Sequence, residues 1–365
     1  MELILTIEAF ICSLLLVVVA IPPIIRVAKA KHLFEPFEER KIHTKIVPPL
    51  GGVAIFIGFT LSAIISTDGL SFDSLKYIIA SVIIMFFIGL KDDLLVISAR
   101  KKLLVQILAA IILIVLGNMR ITNLHGMFGI HEIGFIPGSL LTAFAMVVII
   151  NAFNLVDGID GLASGLAILA ATVFGAWFYM MGNPQFAILS FALVGSLAGF
   201  FVFNVFGDKY KLFMGDTGSL IIGLVISALV VKFNEFNIDK SFLYAVNAAP
   251  SVSFAIIIVP LIDTLRIMTI RISQKRSPFL PDKSHIHHRL LELVNNHFKV
   301  TLIFIFANAV IIAFALFLNK LAFNINIQFL LVFLLGVLFS LIPSLILKLK
   351  NASRVKSMKP VNQTT

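Results

Sequence analysis

The sequence has little charge and almost no cysteine. Only 13% of its 365 residues are Asp, Glu, Lys or Arg, and Cys12 is the single cysteine. One cysteine excludes an intrachain disulfide and any zinc site built on Cys-x-x-Cys. So few charged residues could not cover the surface of a soluble domain of this length. The chain is instead 59% hydrophobic, with a mean hydropathy of +1.04, which predicts a protein that lies in a membrane.

Long apolar runs recur along the whole chain and predict an all-α, polytopic membrane protein. We count eleven runs, with ten as the alternative count, at residues 3–25, 50–66, 77–90, 101–117, 138–152, 163–181, 185–203, 217–231, 250–270, 301–318 and 328–347. No small-residue cleavage pattern follows the first run, so we expect it to be a retained helix. We expect one catalytic transmembrane domain over residues 1–350 and a basic cytoplasmic tail over 351–365.

Lys and Arg are distributed unevenly between alternate loops. Nearly all lie on the side of the tail and of the loops at 26–49, 91–102, 151–162, 204–216 and 271–300. The opposite loops hold only Lys76, Arg120, Lys232, Lys240 and Lys320. The positive-inside rule therefore predicts an outside N-terminus and a cytoplasmic C-terminus, with those five loops in the cytoplasm. This topology also explains the net charge of +10, so we expect no nucleic-acid partner.

The stretch NAFNLVDGIDGLASG, residues 151–165, puts acidic residues between two apolar runs. Asn154, Asp157 and Asp160 are spaced i, i+3 and i+6, so on a helix they would form one stripe. An Asp at the bilayer centre costs roughly 2.5–3.5 kcal/mol, and two carboxylates on one stripe repel unless a cation or proton lies between them. The alternative interpretation is a polar cytoplasmic turn.

Two further acidic motifs end or begin apolar runs on the same side. GLKDDLL carries Asp92 and Asp93, which point about 100° apart on a helix, so only one should face a given site. Alone, this pair is more typical of a solvated helix end.

NVFGDKYKLFMGDTGSL carries Asp216 at a helix start that would favour a phosphate, although Asp216 or Thr217 could simply cap that helix. Phe213 could stack on a base, but core or lipid contact is the stronger interpretation by itself.

Two basic motifs also lie on this side. PDKSHIHHRLLE concentrates four residues that can bind a metal or a phosphate, namely His285, His287, His288 and Arg289. A structural zinc site would recruit cysteines or a second His pair, so anion binding is favoured. RKIHTKIVPPLGG adds His43 and Lys45, for which ordinary positive-inside charge is the alternative. Together, the five motifs are typical of a divalent metal that holds a diphosphate.

With these motifs the chain resembles the polyprenyl-phosphate N-acetylhexosamine-1-phosphate transferases. The resemblance rests on RKIHTKIVPPLGG, KDDLL, NAFNLVDGIDGLASG, FMGDTGSL and DKSHIHHRLLE in family order. It implies transfer of a sugar-1-phosphate from a UDP-N-acetylhexosamine to undecaprenyl phosphate, with release of UMP and with Mg²⁺ or Mn²⁺ as cofactor. A bacterial plasma (inner) membrane location follows, with the active site facing the cytoplasm, and a homodimer is left open.

The resemblance also implies roles for individual residues. It assigns catalysis to Asp92, Asp93, Asp157, Asp160 and His287, and the metal to Asp216 and Asp157. The substrate-binding residues that it implies are Asn154, Phe213, Lys45, His43, His285, His288 and Arg289. Lys45 is the weaker assignment, since only some members of the family have Lys there.

The histidine motif separates the branches of this family. HIHHRL matches the GlcNAc-1-phosphate branch, whose lipid-linked diphosphate sugar initiates cell-envelope polysaccharide synthesis. The phospho-MurNAc-pentapeptide transferases have three consecutive histidines, and Ile286 interrupts such a run here.

Two different classes are the remaining alternatives. A cation-coupled transporter would need ionisable groups at mid-membrane depth, and a CDP-alcohol phosphotransferase would need an Ala-Arg and further aspartates that DGIDGLASG lacks.

Overall fold

The computed structural model describes residues 1–33, 47–67, 74–275 and 285–357, with side chains up to residue 350. This part of the chain folds almost entirely into helices. The thirteen α-helices are α1 (Glu2–Ala30), α2 (Gly51–Ile65), α3 (Leu75–Leu94), α4 (Ala99–Ile111), α5 (Phe135–Val156), α6 (Leu162–Met180), α7 (Pro184–Phe206), α8 (Gly215–Phe236), α9 (Ala249–Ile256), α10 (Ile258–Ser273), α11 (Ile286–Val294), α12 (His297–Lys320) and α13 (Ile325–Ser357). A π-helical turn, Ile112–Leu116, extends α4, and a short hairpin pairs β1 (Asn123–Met127) with β2 (Ile130–Glu132).

Helix α8 lies at the centre of the bundle. Its side chains are buried on nearly all sides, and it packs mainly against α3 and α5. A helix that is apolar all round is expected in such a position. Helices α1 and α13 lie at the periphery and expose large apolar side chains, for example Leu15 and Leu330. An exposed apolar perimeter of this kind suits contact with lipid.

Small residues bring the outer helices close together. Gly195 and Gly199 of α7 lie directly against the α1 backbone and Val17, and Gly58 of α2 also meets Val17. A hydroxyl adds a polar contact, because Ser62 Oγ of α2 donates to the Ala9 carbonyl at 2.6 Å. Such small-residue contacts are typical of helix association in membranes.

The span near the C-terminal third is broken at Ile257, where α9 and α10 meet at 79°. Pro260 has no N–H to donate to the Ile256 carbonyl one turn earlier. Asn308 of α12 replaces that donor, since its Nδ2 lies 3.0 Å from the Ile256 oxygen and its Oδ1 accepts from Val259 N–H at 3.3 Å. The free backbone groups of the break are therefore satisfied inside the bundle.

These helices confirm the prediction of an all-α, polytopic membrane protein. Within the described residues, seven helices are long and apolar enough to cross a membrane, or eight if α9 and α10 form one span. Each of the eleven predicted apolar runs coincides with a helix, a helix with its π-turn or the α9–α10 pair. Some of these helices are short, as α2 is, so the count of eleven and the orientation stay predictions.

The hairpin was not predicted, because residues 118–137 read as a loop. Its register pairs Asn123 with Glu132 and Met127 with Ile130. Gly126 and Gly129 adopt positive φ values of 86° and 77°, which lets the chain reverse within a few residues. It lies beside the C-terminal end of α8, so we call this the hairpin end and the opposite end, where α8 begins, the motif end.

Candidate active site

The start of α8 is capped by a carboxylate from another helix. Asp93, at the end of α3, accepts hydrogen bonds from Asp216 N–H at 2.6 Å, Thr217 N–H at 3.0 Å and Thr217 Oγ1 at 2.5 Å. The alternative in which Asp216 or Thr217 caps this helix with its own side chain is therefore wrong. Both oxygens of Asp93 are occupied by the free N–H groups of the first turn.

Glycines make this close approach of α3 and α8 possible. Gly215 has a φ of +71°, and a Cβ there would collide with Asp93 and with the Pro49 carbonyl. Gly89 of α3 lies against the backbone of Thr217, so a side chain at position 89 would push the helices apart. Position 215 in FMGD therefore requires glycine for two reasons: its φ is positive, and there is no space for a side chain.

Asp216 projects from this helix start into a group of polar side chains. Its Oδ1 accepts from Asn154 Nδ2 at 2.5 Å, and its Oδ2 lies 2.7 Å from Lys102 Nζ. The same Nζ lies 2.6 Å from Asp92 Oδ2, so Lys102 bridges two aspartates. Both aspartates of KDD thus contribute, Asp93 through the cap and Asp92 through Lys102. The expectation that only one of them faces the site is wrong, because the loop after α3 folds α4 back onto it.

Lys102 is the site residue that the sequence analysis missed. The sequence places it in the basic loop at 91–102, whereas in the structure it lies in the first turn of α4. The available signal is that the three acidic motifs bring five candidate site aspartates to one end of the bundle. A cation next to them after folding was therefore to be expected.

Asp157 directly follows the last residue of α5, and Asp160 lies in the turn before α6. The prediction of a single helical stripe is therefore wrong for Asp160, because the helix ends at Val156. Among the described residues none donates a hydrogen bond to the Asp157 carboxylate. Desolvation by the surrounding protein, together with the negative charges of Asp216, Asp93 and Asp160, raises the pKa of Asp157 to about 8.

Asp160 has the opposite environment. Lys211 Nζ lies 2.6 Å and His297 Nδ1 lies 3.3 Å from its Oδ2. Burial alone would raise the pKa of Asp160, but the hydrogen bonds from His297 and Lys211 outweigh it, so the pKa lies below its usual value. The turn is also held by its backbone, since Gly161 N–H donates to Asn204 Oδ1 at 2.7 Å and Thr301 Oγ1 donates to the Asp160 carbonyl at 3.0 Å. The two aspartates thus differ, one ion-paired and one without such a partner among the described residues.

The histidine motif forms the start of α11, so its residues from Ile286 onward lie on a helix and not in the expected loop. The buried ring of His287 faces the turn after α5, because a Cβ on Gly158 would overlap its Nε2. The His288 ring centroid is 4.4 Å from that of His287. His288 and Arg289 are half-buried. The structure thus brings His287 against the turn that carries Asp157.

Phe213 lies just before α8 and its side chain is 38% exposed, which leaves the ring accessible for stacking. Its backbone pairs with the segment before α2. Phe213 N–H donates to the Pro48 carbonyl at 3.0 Å, and Gly51 N–H donates to the Phe213 carbonyl at 2.8 Å. The predicted substrate residues His43 and Lys45 lie outside the described residues.

Two groups of side chains could hold a metal ion. The ligand atoms of Asp263, His285 and His287 all lie within 4.8 Å of one another and are buried. This mixed nitrogen and oxygen set suits a transition metal. The second group is the acidic pair Asp157 and Asp216, which lie close enough for the charge of Asp216 to raise the pKa of Asp157, and Mg²⁺ prefers oxygen ligands. Because the clustered carboxylates repel one another, a divalent cation would relieve an unfavourable charge there.

The fold and this site define a polytopic membrane protein with an acidic cluster at one end of its helix bundle. Residues 75–234 match the profile of glycosyl transferase family 4. The chain is 33% identical over 269 residues to the undecaprenyl-phosphate alpha-N-acetylglucosaminyl 1-phosphate transferase of Escherichia coli O157:H7, covering 73% of this chain and 71% of the relative. It is 34% identical over 292 residues to the probable undecaprenyl-phosphate N-acetylglucosaminyl 1-phosphate transferase of Bacillus subtilis strain 168, covering 79% and 78%.

The chain therefore belongs to glycosyl transferase family 4, in the branch of these N-acetylglucosaminyl 1-phosphate transferases. The resemblance stated from the motifs is confirmed. The cation-coupled transporter, the alternative from a different class, has no support in these relatives.

Proposed function

We propose that this protein transfers GlcNAc-1-phosphate from UDP-GlcNAc to undecaprenyl phosphate. UMP is released, and the product is a lipid-linked diphosphate sugar. The observation that carries the proposal is the convergence of Asp216, Asn154 and Asp157 with Asp93 and Lys102 at the motif end. This convergence occurs in a chain whose relatives are named for this reaction.

The oxygen donors of the cluster fit the divalent metal of this reaction. Asp216 and Asp157, with Asn154 beside them, would hold Mg²⁺ or Mn²⁺. The bound ion would offset the charge of the donor diphosphate and polarise a phosphoryl oxygen. Asp93 uses both of its oxygens to cap α8 and thereby fixes the direction of Asp216, so we assign it a structural role.

Basic side chains around the cluster fit two anionic substrates. Lys102 Nζ already lies within 2.7 Å of two carboxylates, a position from which it can reach a phosphate oxygen. His287, His288 and Arg289 approach from α11 on the side of the Asp157 turn. Cations held around a transferring phosphoryl group stabilise the charge that develops in the transition state. Phe213 supplies an accessible ring for the uracil base.

We propose direct attack of a lipid phosphate oxygen on the phosphorus that carries the sugar, with UMP as leaving group. A phosphate monoester is largely dianionic near neutral pH, because its second pKa is about 6, so a strong general base is unnecessary. Asp92, which contacts Lys102 and the Ile97 N–H, is better suited than Asp93 to position the acceptor. The rival is a covalent phospho-aspartate. Rapid-quench trapping of a labelled sugar-phosphate on the protein would contradict direct attack.

The test is UMP release by the purified protein in detergent with undecaprenyl phosphate and Mg²⁺. A donor panel of UDP-GlcNAc, UDP-GalNAc and UDP-MurNAc-pentapeptide separates the proposed activity from its alternatives. Rapid release with UDP-GlcNAc supports the proposal. Release only with UDP-MurNAc-pentapeptide would support the alternative transferase, and no release with any UDP-N-acetylhexosamine would contradict the transferase function.

A cytoplasmic motif end in a bacterial inner membrane is also part of the proposal. It is supported by the excess of Lys and Arg in the loops at that end. Labelling of single cysteines in intact cells is the measurement that tests it. Cysteines placed at Lys209 and at Asp239 should react from opposite sides of the membrane.

A further inference from the structure

Asp263 is a buried carboxylate on α10 that no sequence motif included. Only 3% of its surface is exposed, although a buried charge is costly without strong partners. Its described partners all belong to the histidine motif. Its Oδ2 lies 3.0 Å from His285 Nδ1 and 3.4 Å from His287 Nδ1, and its Oδ1 accepts the Ile286 N–H at 2.9 Å.

One carboxylate thus contacts three consecutive residues at the start of α11. It caps this helix from another helix, because no side chain of α11 itself caps the first turn. At the same time it meets the Nδ1 edge of two imidazoles. A carboxylate at Nδ1 fixes the tautomer and the direction of an imidazole ring and directs its Nε2 away.

The Nε2 of His287 points toward the turn that carries Asp157. That nitrogen lies where a Cβ of residue 158 would be, so Gly158 leaves space for it. Both ring nitrogens of His287 are buried, and neither has a hydrogen-bond partner among the described residues, although Nδ1 lies at ion-pair distance from Asp263. Buried polar atoms are almost always paired, so an unpartnered one facing a site indicates a partner that arrives with the substrate.

We propose that Asp263 is a positioning residue for the transfer reaction: it holds His287 so that Nε2 meets the substrate beside the Asp157 turn. It holds His285 through the same oxygen. Asp263 itself touches no substrate, so it acts only through the histidines. The inference rests on the proposed transferase function of the same site. In the metal alternative, Asp263 Oδ2 and the two imidazoles would bind one ion, and measurement of bound metal in Asp263→Asn separates that case from positioning.

The test is a double-mutant cycle with Asp263→Asn and His287→Ala, measured as UMP release. Asp263→Asn should lower kcat about 10- to 100-fold, as expected for the loss of an orienting partner, with a smaller change in KM for UDP-GlcNAc. In the His287→Ala background the same substitution should lower kcat clearly less than in the wild type, because only His285 is left for Asp263 to hold. The matched control is Thr264→Val, which alters a buried neighbour on the same helix and should leave kcat close to wild type.

An undiminished effect of Asp263→Asn in the His287→Ala background would overturn the proposal. If Asp263→Asn does not yield folded protein, Asp263→Glu takes its place. It keeps a carboxylate on a longer side chain and should lower kcat with the same dependence on His287.

A spectroscopic measurement tests the contact without any activity. In protein labelled with ¹⁵N-histidine, the His287 ring signals, identified by their loss in His287→Ala, should shift in Asp263→Asn and not in Thr264→Val. Unchanged signals would overturn the proposal even if the protein is an active transferase, and a shift would support it even if no UMP release were found. Stoichiometric bound metal that disappears in Asp263→Asn would also overturn it, in favour of a metal ligand.

Discussion

The two ends of α8 are both polar, but their carboxylates have different surroundings. At the hairpin end, Glu235 accepts from the Thr122 N–H at 2.7 Å and from the Thr122 hydroxyl at 2.8 Å. His125 Nε2 lies 3.0 Å from the Asn234 carbonyl. At the motif end, Asp157 has no donor among the described residues, although it lies close to other carboxylates.

This difference separates polar groups that stabilise the fold from polar groups that await a ligand. Hydrogen bonds hold the hairpin against α8, although the buried Arg120 Nε and Nη1 and Asn234 Oδ1 at this end have no hydrogen-bond partner among the described residues. Clustered carboxylates destabilise the folded protein unless a cation accompanies them, so their retention points to function. Substitutions at the two ends should therefore have opposite signatures, loss of activity at one and loss of stability at the other.

The largest effect is expected from Asp216→Asn. Loss of a metal ligand removes several kcal/mol of charge stabilisation, so UMP release should fall on the order of 10³-fold or more. The melting temperature in detergent should change little, because the introduced amide keeps an oxygen that can accept from Asn154 and Lys102 keeps Asp92 as its partner. Asp239→Asn, at an exposed carboxylate near the hairpin end, is the control and should retain full activity. Turnover near wild type in Asp216→Asn would remove this residue from the site.

Lys102→Met should have the next largest effect. The variant keeps most of the side-chain length but loses the charge that bridges Asp92 and Asp216, so kcat should fall about 10²-fold. The adjacent Lys101→Met removes an exposed charge on the same helix turn and provides the matched control. Equal activity of the two variants would show that the bridge is not used in the reaction.

At the hairpin end, Glu235→Ala should reverse the pattern. Thr122 would lose the acceptor for both its N–H and its hydroxyl, which should lower the free energy of unfolding by about 1–3 kcal/mol. Activity per folded molecule should stay near wild type. Glu132→Ala, at an exposed position of β2, is the control for the melting temperature. A loss of turnover without a loss of stability in Glu235→Ala would contradict the division between the two ends.

The smallest effect concerns pH. Burial and the nearby Lys240 and His131 lower the pKa of His125 from 6.5 to about 4, so the folded protein keeps this ring neutral. The unfolded chain then binds more protons between about pH 6.5 and pH 4, and stability should fall as the pH falls through this window. Thermal melts across it should show a slope that is weaker in His125→Gln. If the slope is unchanged in His125→Gln, the pH dependence of stability arises from other titratable groups.

Local patterns predicted the helices and the residues of the site, but not the contacts between them. An apolar run can be recognised within a single segment of sequence, so all eleven runs were predicted correctly to be helical. The motifs indicated Asp157 and Asp216 because acidic residues stand out in apolar sequence. The cap that Asp93 places on α8, and that of Asp263 on α11, join residues more than 20 positions apart. No local rule specifies such pairs, because they depend on how whole helices pack.

The break at Ile257 has a consequence for movement within the bundle. Asn308 ties α12 to both α9 and α10, through the Ile256 carbonyl and the Val259 N–H. Helix α10 carries Asp263, and α12 carries Thr301, which holds the Asp160 carbonyl. A shift of α12 against α10 would thus displace the histidines and the Asp157–Asp160 turn together. The amide side chain of Asn308 thus links the helix that holds the Asp160 turn to the helix that carries Asp263.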